Sequence, residues 1–245
     1  MMLEILFIPI LLVLMLSLIH TYFGMGILKR GIIFTDLAIA QFAALGSAVS
    51  LGYFGGAYMY EFTLLSALLS AFLIAYASQT DIRLEAFIGI LYVLGASGIM
   101  IVLADSAEGM EHFKSLLASD ILFTTSDALL HSFFIYLGIA FLLWKLYPRL
   151  QGFYKELLFF SLLALTVTSS VSLAGVFVVF VLLIAPALVA LTLGKGIYFA
   201  VGFSWLFTVS SIFLSYYLDL PTGYALVFVG ALLSAIIVLT SAKRV

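Results

Sequence analysis

The chain has 245 residues, 65% of them hydrophobic and only 9% charged, with a formal net charge of −2 and a mean hydropathy of +1.31. A soluble chain of this length needs roughly a quarter of its residues charged to cover its surface, so most of this surface must face lipid, as in an all-α integral membrane protein. The absence of cysteine excludes disulfides, iron–sulfur clusters and thiolate zinc sites.

A helix needs about 17–25 apolar residues to cross the hydrocarbon core, and nine such runs occur, at roughly 3–25, 31–53, 60–79, 85–104, 129–147, 156–174, 176–194, 197–218 and 222–241. The first is too long for a removable signal peptide and lacks a small-residue cleavage site, so it reads as a retained span. The boundary between the sixth and seventh rests on Gly175 and its serine-rich approach in "VTSSVSLAGVFVVF"; without that break the count would be eight. No linker, charge run or low-complexity segment divides the chain, which reads as one transmembrane domain over 1–245.

Orientation follows from the cations. With an external N-terminus and alternating spans, the cytoplasmic segments hold Lys29, Arg30, Arg83, Lys145, Arg149, Lys155, Lys195, Lys243 and Arg244, and only Lys114 lies outside. Dropping any helix before the seventh would scatter these charges, so the positive-inside rule supports both span number and orientation. The acidic loop "DSAEGMEHFKSLLASD" is then external and the C-terminus cytoplasmic.

Several chemistries are excluded by what is missing. No G-x-x-x-x-G-K-[ST] loop is present, so transport powered by nucleotide would need a separate ATPase. The H-E-x-x-H and G-x-S-x-G motifs are also missing, which disfavours an intramembrane enzyme. Nothing suggests a nucleic-acid partner. His20 and His131 fall near opposite faces of the bilayer, too far apart to share a haem, and His112 belongs to the external loop.

The second span, "FTDLAIAQFAALGSAVSLG", keeps Asp36 and Gln41 inside an apolar run. Positions 36, 40, 43, 47 and 50 share one helical face and end in Ser47 and Ser50, while Ala40, Ala44, Ala48 and Gly52 form a small-x-x-x-small stripe that lets helix backbones approach. If the helix starts at 31, Asp36 lies about 9 Å along the axis from Arg30, inside the cytoplasmic half of the membrane. Exposure to lipid there costs a few kcal/mol, so Asp36 should face the bundle interior, a cation or water. Two readings stand: Asp36 pairs with an internal Arg or Lys and orients the bundle, or Asp36 and Gln41, with Ser47, border an ion path. Five positions put Asp36 and Gln41 about 140° apart, so they do not chelate one ion from one helix face.

Four stretches, "RGIIFTDLAIAQFAALG", "EAFIGILYVLGA", "LAGVFVVFVLLIAPALVA" and "LSYYLDLPTG", resemble in order and spacing the permease subunits of ABC-type importers for zinc, manganese and iron. The resemblance implies a bundle like that of type II ABC importer permeases in the cell membrane, a homodimer, two copies of a cytoplasmic ABC ATPase and an external metal-binding solute receptor. It implies a transported divalent metal ion and no tightly bound cofactor. Where the family commonly shows G-D-A-x-S-H, residues 36–41 read D-L-A-I-A-Q, so Gln41 stands in place of the histidine and Asp36 is displaced by one residue. An amide oxygen in place of an imidazole favours harder, oxygen-preferring cations over zinc and leaves the metal open.

The family's cytoplasmic coupling helix also has no room here, where the connection is only "LYPRLQGFYKELL". Either a shortened dock built around Arg149, Lys155 and Glu156 meets the ATPase, or coupling is altered or lost, and the cations also read as ordinary positive-inside anchors. Pro186 and Gly175 read as gating elements or as packing. Asp219, before Pro221 and Gly223, reads as a helix stop or as part of an acidic outer mouth with Asp105, Glu108 and Glu111. Two other functions remain, a self-sufficient ion channel or secondary transporter and a non-transporting membrane scaffold. Inverted repeats or several intramembrane charges would mark the former; none is detectable.

Overall fold

The structure is a computed structural model and describes residues 2–104, 111 and 121–241, with side chains from residue 6 onward in the first helix. Among the described residues the regular structure is entirely helical. Nine long helices follow one another: α1 (Met2–Lys29), α2 (Thr35–Phe54), α3 (Met59–Ala77), α4 (Leu84–Val102), α5 (Ser126–Lys145), α6 (Gly152–Ala174), α7 (Val176–Thr192), α8 (Ile197–Leu218) and α9 (Thr222–Ser241). Short 3₁₀ turns precede α5 at Ile121–Phe123 and follow it at Tyr147–Arg149. Eight of the nine are long and apolar enough to cross a membrane, and α7 has 17 residues, at the lower limit for a span. The chain is a multi-pass membrane protein, and its described residues form the expected nine helices.

The break at Gly175 is real: its φ of 81° ends α6 and starts α7 in a conformation that side chains with a Cβ rarely adopt. Another expectation needs correction. The second helix begins at Thr35 and not at 31, because Gly31 takes φ 70° and residues 30–34 form a turn. Asp36 therefore sits in the first turn of α2, and its distance from Arg30 is not a helical rise.

The described parts of Met1–Gly31, Ala118–Phe134 and Leu173–Val245 form one compact unit. There α1 lies against α7 and α8. A Cβ on Gly24 would strike the carbonyl oxygen of Leu183, and Met25, Ala187, Ala190 and Ala200 close the same contact. Near the middle of α1, Trp205 Nε1 donates to Leu14 O at 3.1 Å. A Cβ on Gly230 would come within 2.6 Å of the Phe207 ring, so α9 approaches α8 through a glycine.

The second unit comprises the described parts of Ile32–Leu117 and of Ile135–Ser172. Here α2 packs on both α3 and α4. Against α3 the approach is backbone to backbone, since a Cβ on Gly46 would meet Phe62 O. Against α4 the small stripe does what its spacing predicts: Ala44, Ala48 and Leu51 pack on Ile99, Val102 and Leu103. The Tyr136 hydroxyl of α5 accepts a hydrogen bond from Ser169 Oγ of α6 at 3.1 Å, and Phe153 meets Phe72 edge to face.

Candidate functional site

The face expected from the sequence is buried along its length: Asp36, Ala40, Ala43, Ser47 and Ser50 are all covered, as is Gln41. Its C-terminal half is closed by hydrogen bonds. Thr63 Oγ1 donates to Met59 O at 2.7 Å, so Ser47 Oγ is the donor in the 2.6 Å bond between Ser47 and Thr63. Ser50 Oγ donates to Ala57 O at 2.6 Å and ties down the turn into α3. Ser47 thus joins α2 to α3 through its hydroxyl.

The N-terminal half is different. Phe34 occupies the N-cap of α2 and offers no side-chain cap, and Thr35, one residue too late to cap, has a fully buried hydroxyl without a hydrogen-bond partner. Asp36 is 1% exposed and its Oδ1 is also buried without a partner. The unpaired N–H groups and positive dipole end of the first helical turn favour a carboxylate there. They do not satisfy Oδ1. A buried polar atom left in this state costs free energy that a cation or water would recover.

Gln41 lies one and a half turns further in, where α2 crosses α4. A Cβ on Gly95 would come within 2.9 Å of Gln41 Cβ and 3.1 Å of its carbonyl carbon. The backbone at 41 is therefore fixed against α4. Among the described residues no three His, Asp or Glu side chains gather into a metal-binding group.

The other named residues are dispersed. Asp219 is exposed and takes φ 52° as the C-cap of α8, so it does stop that helix. Beside it Ser215 Oγ donates to Leu220 O at 2.6 Å and meets Thr222 Oγ1 at 2.8 Å, which makes the turn into α9 rigid. Glu111 is exposed, whereas Asp105, Glu108 and His112 lie outside the described residues. The connection between α5 and α6 is as short as expected: Arg149 is exposed at the end of a 3₁₀ turn, and Lys155 and Glu156 already belong to α6. The ammonium of Lys155 lies 5.0 Å from the Tyr147 ring centroid. Pro186 is buried within α7 beside the Gly24 crossing, in keeping with packing. His20 is buried and its Nδ1 donates to Leu16 O at 2.8 Å, while His131 is exposed.

No protein-family model and no curated protein matches the chain. Among solved structures it is similar to PsaBC from Streptococcus pneumoniae in complex with Fab, with a TM-score of 0.75 and 19% identity over 95% of this chain and 90% of that one. It is also similar to a protein assigned to the metal-chelate type of ABC transporter, in an inward-facing conformation, with a TM-score of 0.69 and 18% identity over 96% and 85% of the two chains. The chain shares the fold of these two structures. Identities below one in five make this a likeness of architecture alone.

Proposed function

We propose that this chain is the transmembrane permease subunit of an ABC importer for a divalent metal cation, working as a homodimer with a separate cytoplasmic ATPase and an external metal-binding receptor. The observation that carries the reading is Asp36, a buried carboxylate in an ABC-permease fold whose Oδ1 has no partner. Its charge lowers the barrier to a cation in a low-dielectric setting, and Gln41 supplies an amide oxygen or supports the helix from the next face. Ser47 borders the same stretch through its bond to Thr63. The carboxylates Asp105, Glu108, Glu111 and Asp219 raise the local cation concentration outside, and Gly175 and Pro186 act as gating elements within their own helices.

The chain functions as one transmembrane domain over 1–245, with its N-terminus outside and C-terminus inside. It hydrolyses no nucleotide itself. Arg149, Lys155 and Glu156 are its ATPase-docking residues, on a corner without a separate coupling helix.

The test is uptake of zinc, manganese and iron into vesicles reconstituted with receptor and ATPase. Asp36→Asn keeps volume and removes charge, and uptake should fall sharply while the protein remains inserted and dimeric. Gln41→His should shift preference toward zinc. Normal uptake in the first variant with an unaltered metal profile in the second would reduce both residues to helix-packing groups.

A further inference from the structure

Glu85 lies in the first turn of α4 and is half-buried. A carboxylate there is favoured by the α4 dipole alone, but its side chain does something more. Glu85 Oε2 accepts the backbone N–H of Ile33 at 2.9 Å, from 52 residues away in sequence. Ile33 belongs to the turn that leads into α2, three residues before Asp36. Gly31 in that turn is in the left-handed region and α2 starts without a side-chain cap hydrogen bond, so the Glu85 contact ties the turn to a separate helix.

The bond also lies on a seam. Gln41 meets Gly95, Leu45 meets Gly98 and Gly52 meets Val102, so α2 and α4 run parallel, with Ile33 and Glu85 at the start of the same seam. The glycine contacts set how closely the helices approach. They set register less well, because a small-residue surface allows sliding. A hydrogen bond to one particular amide at the end of the seam does specify it, three residues before Asp36 in sequence.

We propose that Glu85 is a positioning residue for the ion path, holding the 31–34 turn on α4 so that Asp36 keeps its buried place at the start of α2. The inference rests on the reading of Asp36 given above. What matters in Glu85 is an acceptor oxygen at the right reach and not a negative charge.

Three substitutions separate these terms. Glu85→Gln keeps reach and removes charge; Glu85→Asp keeps charge and its favourable place on α4 but draws the oxygen back by one C–C bond, about 1.5 Å; Glu85→Ala removes both. Two readouts are taken on the full chain. Hydrogen–deuterium exchange across residues 31–37, in detergent and without metal, reads the clamp itself. Uptake of manganese in the reconstituted transporter reads its consequence. Exchange should be about tenfold faster in the Ala and Asp variants and near wild type in Gln, and uptake should fall by a similar factor in the same two variants only. Unchanged exchange in Glu85→Ala, or Glu85→Gln as impaired as Ala while Asp transports normally, would overturn the proposal, the latter in favour of a charge role. If Asp36→Asn imports metal normally, the ion-path reading fails, and the metal-free exchange measurement still judges the clamp.

Discussion

Three glycines on α4 differ sharply in what surrounds them, which makes a test of how α2 is held. A Cβ on Gly95 would meet Gln41 Cβ at 2.9 Å, the Gln41 carbonyl carbon at 3.1 Å and its oxygen at 3.3 Å. Carbon atoms in good contact lie about 3.5–4.0 Å apart, so Gly95→Ala requires the helices to separate by roughly 0.5 Å. Two of the three obstructing atoms are backbone, and no rotamer change relieves them. Overpacking of this kind costs about 1–3 kcal/mol, a melting temperature lower by on the order of 5 °C for a chain of this size. Gly98→Ala meets only the flexible end of Leu45, at 3.0 Å, and should cost less. Gly89 has nothing within 4 Å, so Gly89→Ala should be neutral or stabilising by up to about 1 kcal/mol through helix propensity. Thermal unfolding of the detergent-solubilised variants should therefore rank Gly89→Ala above Gly98→Ala above Gly95→Ala. If Gly95→Ala melts with or above Gly89→Ala, α2 and α4 are not in backbone contact at Gln41 and the seam is misplaced.

The bond between Ser47 and Thr63 should be worth about 0.6 kcal/mol, and Ser47→Ala with Thr63→Val should be non-additive in a double-mutant cycle of stability; full additivity would mean the hydroxyls do not interact. Alanine at Arg149, Lys155 and Glu156 together should weaken copurification of the ATPase, with the loops around Lys29 and Asp81 as the next docks if binding is unchanged. A reporter fused after Val245 should be cytoplasmic and one near Glu111 external, and finding both on one side would remove the orientation drawn from the cations.

The helices were legible because lipid imposes a length and a polarity on each span, and every span expected from the apolar runs corresponds to a long helix. Asp36 and Gln41 were legible for the same reason, as polar groups in an apolar run. The start of α2 was not, because Ile32, Ile33 and Phe34 are as apolar as the helix that follows them and Gly31 alone marks the turn. Thr35 beside an aspartate reads as an ordinary helix-start residue, and only its burial without a partner sets it apart. Glu85 reaches Ile33 across 52 residues, a pairing that no local periodicity encodes. Gly95 carried no more signal than Gly89 on the same helix, since what distinguishes them is the backbone of α2. The two compact units also have no local mark: among the described residues the chain passes between them at Gly31, within α5 and near the end of α6, without a linker.

The corner at residues 146–151 has a mechanical meaning. It is tightened by the turn Tyr147–Arg149 and braced by Lys155 over the Tyr147 ring, and α6 starts at Gly152. A strap of loose residues would stretch before it pulled. This corner has almost no slack to take up, so a load applied at Arg149 passes into the first turns of α6 as torque. The helix must answer as a stiff beam, by tilting or twisting along its length. Such a lever loses little motion between handle and load, and in return it tolerates little misalignment in whatever grips it.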